Sequence, residues 1–223
     1  MKTRELAMTK NVKEAIRGFD YLLSRPVTEM VGLGLIYGAP GTGKTRFARR
    51  FVIENNYLYL RLEATTTPKV FATQLLEALQ NHYNITQRIK GSANELYNQA
   101  VEIIHDIPED VVIFIDEIDY AFKKQSLLGM IRDIVDETVA VVILVGMQNA
   151  KNLLLKANAH YFDRCGYFVH FQNLPKKDTA LVCERISEVK LNKPELDNIY
   201  KRSGGNLRKI IKLVYAYEAT KEA

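Results

Sequence analysis

Eight consecutive residues, Gly38-Ala39-Pro40-Gly41-Thr42-Gly43-Lys44-Thr45, bring together three glycines, a lysine and a hydroxyl. This is the phosphate-binding loop pattern. The glycines let backbone N–H groups turn toward phosphate oxygens, Lys44 offsets β/γ-phosphate charge, and the Thr45 hydroxyl is a ligand for Mg²⁺. Its setting is the one the chemistry requires. An apolar stretch precedes it, and Phe47, Ala48 and Phe51 follow at helical spacing, so a helix N-terminus adds positive potential where phosphate would sit. The competing reading, a glycine-rich turn without a ligand, leaves both flanks unexplained.

A second constellation closes the apolar run Val111-Val112-Ile113-Phe114-Ile115 with Asp116-Glu117. An Asp at the end of a buried strand is placed to order Mg²⁺ through water, and the adjacent Glu117 to polarise an attacking water. The plainer alternative makes Asp116 a helix cap and Glu117 a first-turn acid. The next apolar run, Val139 to Val145, ends in Gly146-Met147-Gln148-Asn149. Asn149 is the first choice to hold the water near the γ-phosphate, with Gln148 close behind; a capping amide for a helix from Ala150 to Asn158 explains it nearly as well. Two arginines stand out by position. Arg164, in Phe162-Asp163-Arg164-Cys165-Gly166, suits either an arginine finger reaching a neighbouring subunit or a surface pair with Asp163 or another acid. Arg208, in Gly204-Gly205-Asn206-Leu207-Arg208-Lys209-Ile210, adds positive charge to the first turn of a helix, against its dipole; a bound phosphate accounts for that placement better than helix stability does, and the plainer alternative is a tolerated solvent-exposed charge.

These groups need a scaffold that aligns strand ends. Hydrophobic periodicity alternates strand and helix, the pattern of an α/β domain with a largely parallel sheet. Strands are expected at about Gly32–Tyr37, Tyr57–Leu62, Val111–Ile115, Val139–Val145 and Tyr167–Phe171. Thr67-Pro68 opens one helix, with Phe71, Leu75 and Leu79 on its inner face. Ser92-Ala93-Asn94-Glu95 is a capping box for another. Residues 1–30 form an amphipathic lead-in helix with Val12, Ile16, Phe19 and Leu23 on one stripe, broken by Pro26. Residues 31–174 form the nucleotide-binding core. Residues 175–223, with helices at about 178–189, 194–202 and 207–218, form a small helical lid.

The 223 residues carry 31 Lys plus Arg against 26 Asp plus Glu, with 47% hydrophobic residues. That composition excludes disorder as the main state. No apolar run approaches the roughly 20 residues needed to cross a bilayer, so no membrane association is expected. The charged N-terminus and the two cysteines, Cys165 and Cys183, offer neither a secretory signal nor a disulfide framework, which makes the cytoplasm the default compartment. The net charge of +5 permits nucleic-acid contact without arguing for it.

Together, GAPGTGKT, VVIFIDE, the polar strand end GMQN, Arg164 before the last strand and a helical segment bearing GGNLRKI resemble the AAA+ ATPases over about residues 30–218. The resemblance implies a P-loop NTPase with a five-stranded sheet in the order 5-1-4-3-2. It also implies ATP and Mg²⁺ held between core and lid, and a homo-oligomer in which Arg164 completes the next subunit's site. Within that superfamily the chain looks most like the transposition regulators, the Mu protein B and TnsC-type ATPases. The carrying segments are Thr9-Lys10-Asn11-Val12, LGLIYGAPGTGKTRFARRF, YLYLRLEATTTPKVFATQLLEAL and SGGNLRKIIKLV. There is no room for an N-terminal helix-turn-helix domain, so a function carried by one is not expected.

That likeness implies largely sequence-independent binding to double-stranded DNA as a ring or helical filament that recruits a transposase, with hydrolysis driving release. The candidate DNA segment is Asn81–Gly91, which carries Arg88 and Lys90 and no acid; Lys69 and the Lys123-Lys124 pair are weaker candidates. An exposed polar loop explains the segment about as well. Two other functions fit the same motifs. One is an AAA+ replication initiator or loader, a class that usually carries a winged-helix domain after the lid, which is not expected in a chain ending at Ala223. The other is a nucleotide-gated interaction switch that does not bind DNA.

Overall fold

The structure, a computed structural model, describes residues 6–157 and 163–221. Five parallel strands, β1 (Gly32–Gly38), β2 (Leu58–Arg61), β3 (Val112–Asp116), β4 (Val141–Gly146) and β5 (Cys165–Phe171), form one sheet in the order β2-β3-β4-β1-β5. This is the expected order, read from the opposite edge. Strands β3 and β4 are buried along their whole length, which is why they read as continuous apolar runs rather than alternating ones.

Helices cover both faces. Helices α1 (Lys10–Leu23) and α2 (Lys44–Asn55) pack on one side, where Phe19, Phe47, Phe51, Phe114 and Phe171 share a cluster. Helices α3 (Pro68–Tyr83), α4 (Ala93–Asp106) and α5 (Gln125–Glu137) close the other, with α6 (Ala150–Ala157) beside them. After β5 come α7 (Lys176–Ile186), α8 (Lys193–Ser203) and α9 (Leu207–Lys221), packed on a core of their own around Val182, Cys183, Ile199, Ile210 and Val214.

Local signals fix most helix starts. Thr67 accepts from the Val70 N–H with Pro68 following, and Ser92 and Glu95 form the reciprocal capping box. Several boundaries differ from the periodicity. Val139 stays outside β4, half-exposed, with its carbonyl held by Arg25 at 2.5 Å. Strand β5 starts at Cys165 rather than Tyr167 because a register break beside Leu33 and Gly34 lets it begin earlier against β1. Helix α7 spans Lys176–Ile186 and stops before Val189. The lead-in region forms a helix only over Lys10–Leu23; residues 1–5, and Asn158 at the expected end of α6, lie outside the described residues.

The segment between α3 and α4 has an unexpected course. Lys69, at the start of α3, acts electrostatically on Glu95, at the start of α4; Tyr83, at the end of α3, does so with Glu109, just beyond α4. The two helices therefore point the same way. Residues 84–92 must run back along them, a distance of about 24 Å for a 16-residue helix. Ile85 and Ile89 pack against the main core along the way. What reads in sequence as a polar loop is a strap anchored by two isoleucines, with Arg88 and Lys90 exposed on its outer side.

Candidate nucleotide site

Parallel pairing lines up the carboxyl ends of all five strands. Gly38 lies opposite Phe171, Tyr37 opposite Gly146, Asp116 opposite Val145, and Arg61 opposite Asp116. Along that edge opens a cleft of about 650 Å³, lined by the 38–45 loop, Asp116, Glu117, Gly146 and Met147, one face of α2, and Leu207, Arg208 and Ile211 of α9, with Leu6 adding an apolar wall.

The loop is shaped by backbone that side chains resist. Gly43 caps α2 at φ 102° and Gly41 sits at φ 81°, both in the left-handed region where a Cβ is strained. Space is equally tight, since a Cβ on Gly43 would lie 2.6 Å from Leu207 and one on Gly41 2.6 Å from Asn206. The start of α9 is fastened here. Asn206 donates from Nδ2 to the Pro40 carbonyl at 3.0 Å while its Oδ1 accepts from the Lys209 N–H, and the Arg208 N–H donates to the Gly41 carbonyl at 3.1 Å. The C-terminal helices and the loop thus form one hydrogen-bonded unit, with Arg208 at the cleft.

Lys44 is 8% exposed and donates to the carbonyls of Gly38 (2.8 Å) and Ala39 (3.0 Å). Burial lowers its pKa, nearby Asp116, Asp119 and Glu117 raise it, and Arg208 lowers it again. Thr42 serves the loop itself, donating to the Ala39 carbonyl, whereas Thr45 lines the cleft.

Asp116 is 2% exposed, and each carboxylate oxygen takes one hydrogen bond. Oδ1 accepts from the Glu117 N–H at 2.8 Å; Oδ2 accepts from the Tyr59 hydroxyl at 2.7 Å. An ionised carboxylate offers about four lone-pair sites, so acceptor capacity remains, and a buried acid with spare lone pairs beside Thr45 suits a hydrated divalent cation. Glu117 adopts a left-handed conformation, φ 59°, and its Oε1 lies 3.5 Å from Nη2 of Arg61.

Three residues of this site carry no motif in the sequence. Asp119 accepts from the Met147 N–H at 2.7 Å, joining the turn after β3 to the end of β4; burial raises its pKa, opposed by that bond. Arg61 pairs with Glu117. Tyr59, its phenol pushed up to about 12 chiefly by burial, accepts from Nε of Arg49 at 3.1 Å while donating to Asp116. The available signal was β2 itself: with Leu58 and Leu60 facing one side, Tyr59 and Arg61 fall together on the other.

Other expected residues lie apart from the cleft lining. Gln148 is paired with His170, which stacks on Tyr37 with ring centroids 4.8 Å apart; Asn149 is exposed, its carbonyl accepting from the Leu153 N–H. Arg164 lies 2.8 Å from Asp136 at the end of α5, away from its own chain's cleft. Lys69, Arg88 and Lys90 are exposed on the α3–strap–α4 layer, and Lys124 donates to the carbonyls of Ala64 and Thr66.

The family pattern described as AAA domain matches residues 29–154, more than half of the sequence and the whole of this cleft's core side. The chain belongs to the AAA domain family. This AAA protein thus has the expected fold, a P-loop ATPase sheet with a helical C-terminal region. No curated protein matches its sequence. Solved structures similar to it include the Aeropyrum pernix Orc1 protein in complex with DNA (19% identity, TM-score 0.65, covering 99% of this chain and 62% of that one). The Aeropyrum pernix Orc2 protein with ADPNP and ADP is also similar (16%, TM-score 0.70, 94% and 63%), as is Cdc6p of Pyrobaculum aerophilum (18%, TM-score 0.65, 97% and 64%). At these identities the likeness is one of fold. The AAA protein spans a little under two thirds of the length of each. Among the described residues no helix is long and apolar enough to cross a membrane.

Proposed function

We propose that this AAA protein binds and hydrolyses ATP with Mg²⁺, and that the nucleotide controls an oligomer on double-stranded DNA. The observation that carries the reading is the convergence, in one cleft, of the Lys44 loop, buried Asp116, Glu117 and Arg208. Phosphate oxygens replace the Gly38 and Ala39 carbonyls as acceptors for Lys44, and their negative charge offsets its burial penalty. Thr45 and Asp116 are the residues that would hold Mg²⁺, Asp116 through water. The metal's chemistry there is neutralisation of charge on the phosphates. Glu117 accepts the proton of the attacking water once it leaves Arg61. Asn149 or Gln148 positions that water after a rearrangement of the β4–α6 turn. Arg208 in cis, and Arg164 from a neighbouring subunit, stabilise the transferred charge.

For the role of the assembly, the likeness to Orc and Cdc6 proteins favours an initiator or loader of replication. One of those relatives is described in complex with DNA. A regulator of transposition that recruits a transposase is the second reading. It is supported by the sequence resemblance, including Thr9-Lys10-Asn11-Val12. In that segment Thr9 caps α1, the Lys10 N–H donates to Asp178, and Asn11 exchanges two bonds with the Gln172 backbone, fastening α1 to the segment that leads into α7. DNA contacts are assigned to Lys69, Arg88 and Lys90.

Filter retention of labelled duplex over a salt series, with and without ATP, tests the reading. ATP-dependent retention that weakens with salt is expected. Failure to retain DNA at low salt with ATP present would favour instead a nucleotide-gated interaction switch without DNA. Retention of target duplex joined to selective capture of a transposase separates the second role from the first.

A further inference from the structure

The Mg²⁺–ATP reading leaves one set of contacts unused. At the Asp116 oxygen that does not receive the Glu117 N–H, the Tyr59 hydroxyl donates to Oδ2 at 2.7 Å, and Arg49 donates from Nε to the same hydroxyl at 3.1 Å. The Arg49 guanidinium also lies over the Tyr59 ring, 5.4 Å from its centroid. Arg49 belongs to α2, the helix that begins at Lys44, and lines the cleft. The relay therefore links the helix carrying the phosphate loop to the carboxylate on β3.

We propose that Tyr59 is a positioning residue for Asp116, and that Arg49 fixes the phenol so that its proton points at the carboxylate. The inference rests on the Mg²⁺–ATP reading of this cleft. The chemistry is that of an outer shell: a hydrogen bond to one oxygen fixes carboxylate rotation and leaves the remaining lone pairs aimed at the water of a hydrated cation. Arg49, with no acceptor capacity, can only donate to the phenol oxygen, so the phenol must donate onward, and Asp116 is its acceptor. Packing alone does not ask for this hydroxyl. Tyr57, just before β2, packs its ring against Phe19 and Phe51 in the cluster that Tyr59 also packs against, and phenylalanine at position 59 would keep that packing.

The experiment measures the affinity of a fluorescent ATP analogue with EDTA and with Mg²⁺, for the intact chain, Tyr59→Phe and the control Tyr57→Phe, with melting temperatures taken alongside. Tyr59→Phe should keep its metal-free affinity and lose about five- to tenfold of the gain that Mg²⁺ brings. Tyr57→Phe should keep the whole gain. Arg49→Gln, a change on the exposed face of α2 that folding tolerates, should lower the gain in the same direction by less. A full Mg²⁺ gain in Tyr59→Phe, or an equal fall in both affinities, would overturn the proposal. An intact protein that binds the analogue without any response to Mg²⁺ would overturn the Mg²⁺–ATP reading, and the relay with it.

Discussion

Glu117 and Arg61 meet at 3.5 Å beside the cleft, half-exposed, and under the proposed mechanism that contact competes with the glutamate's approach to a water. An exposed pair of this kind holds on the order of 0.5 kcal/mol, enough to bias the carboxylate without locking it. Arg61→Ala should therefore raise ATP turnover about twofold, read as steady-state phosphate release; turnover at or below that of the intact chain would contradict the pairing's role. Glu117→Gln should bind ATP as before while hydrolysis falls by at least about 100-fold. Undiminished hydrolysis would remove Glu117 from the reaction. The loop and both carboxylates were legible in sequence because each lies in a contiguous run whose spacing alone implies a turn or a strand end. Tyr59, Arg61 and Asp119 were not, because their importance comes from partners brought alongside by sheet order, and Tyr59 and Asp116 are 57 positions apart.

Between elements, the decisive joint is the start of α9 on the phosphate loop. Asn206 both caps α9 and ties it to Pro40, so Asn206→Ala removes a cap and an inter-element bond together. A loss of about 1–2 kcal/mol in stability is expected, measured by denaturant unfolding, along with weaker nucleotide binding. Unchanged binding would show that the C-terminal helices do not help to shape the site. The sequence indicated these helices and the Asn206 cap from local spacing, but a contact across 166 positions leaves no periodic trace. The same limit applies to the strap. The capping box at Ser92 and the cap at Thr67 announced both flanking helices, yet their shared direction depends on Ile85 and Ile89 seating in the core, and an isolated isoleucine in a polar stretch does not reveal that. Strand boundaries moved by a residue or two where a register break or the Arg25 contact, rather than hydrophobicity, decides where pairing begins.

At the scale of the whole molecule, the surplus positive charge falls mostly on the C-terminal helices, whereas the candidate DNA residues lie on the nearly neutral α3–strap–α4 layer. Local arrangement thus says more than the bulk count. If Lys90 contacts phosphate, Lys90→Ala should weaken binding alike on all duplex sequences and lower the salt slope by about one; a sequence-selective loss would assign it another role. Arg164 pairs with Asp136 and does not line its own chain's cleft, so under the proposed assembly its role requires a neighbouring copy. Electron microscopy of the protein with a non-hydrolysable ATP analogue and duplex DNA is the direct test of the proposed assembly. The expected result is an ordered ring or filament around DNA, with Arg164 of one copy facing the next copy's Lys44 loop and the α3–strap–α4 layer against the duplex; monomers dispersed apart from the DNA would contradict the proposed function.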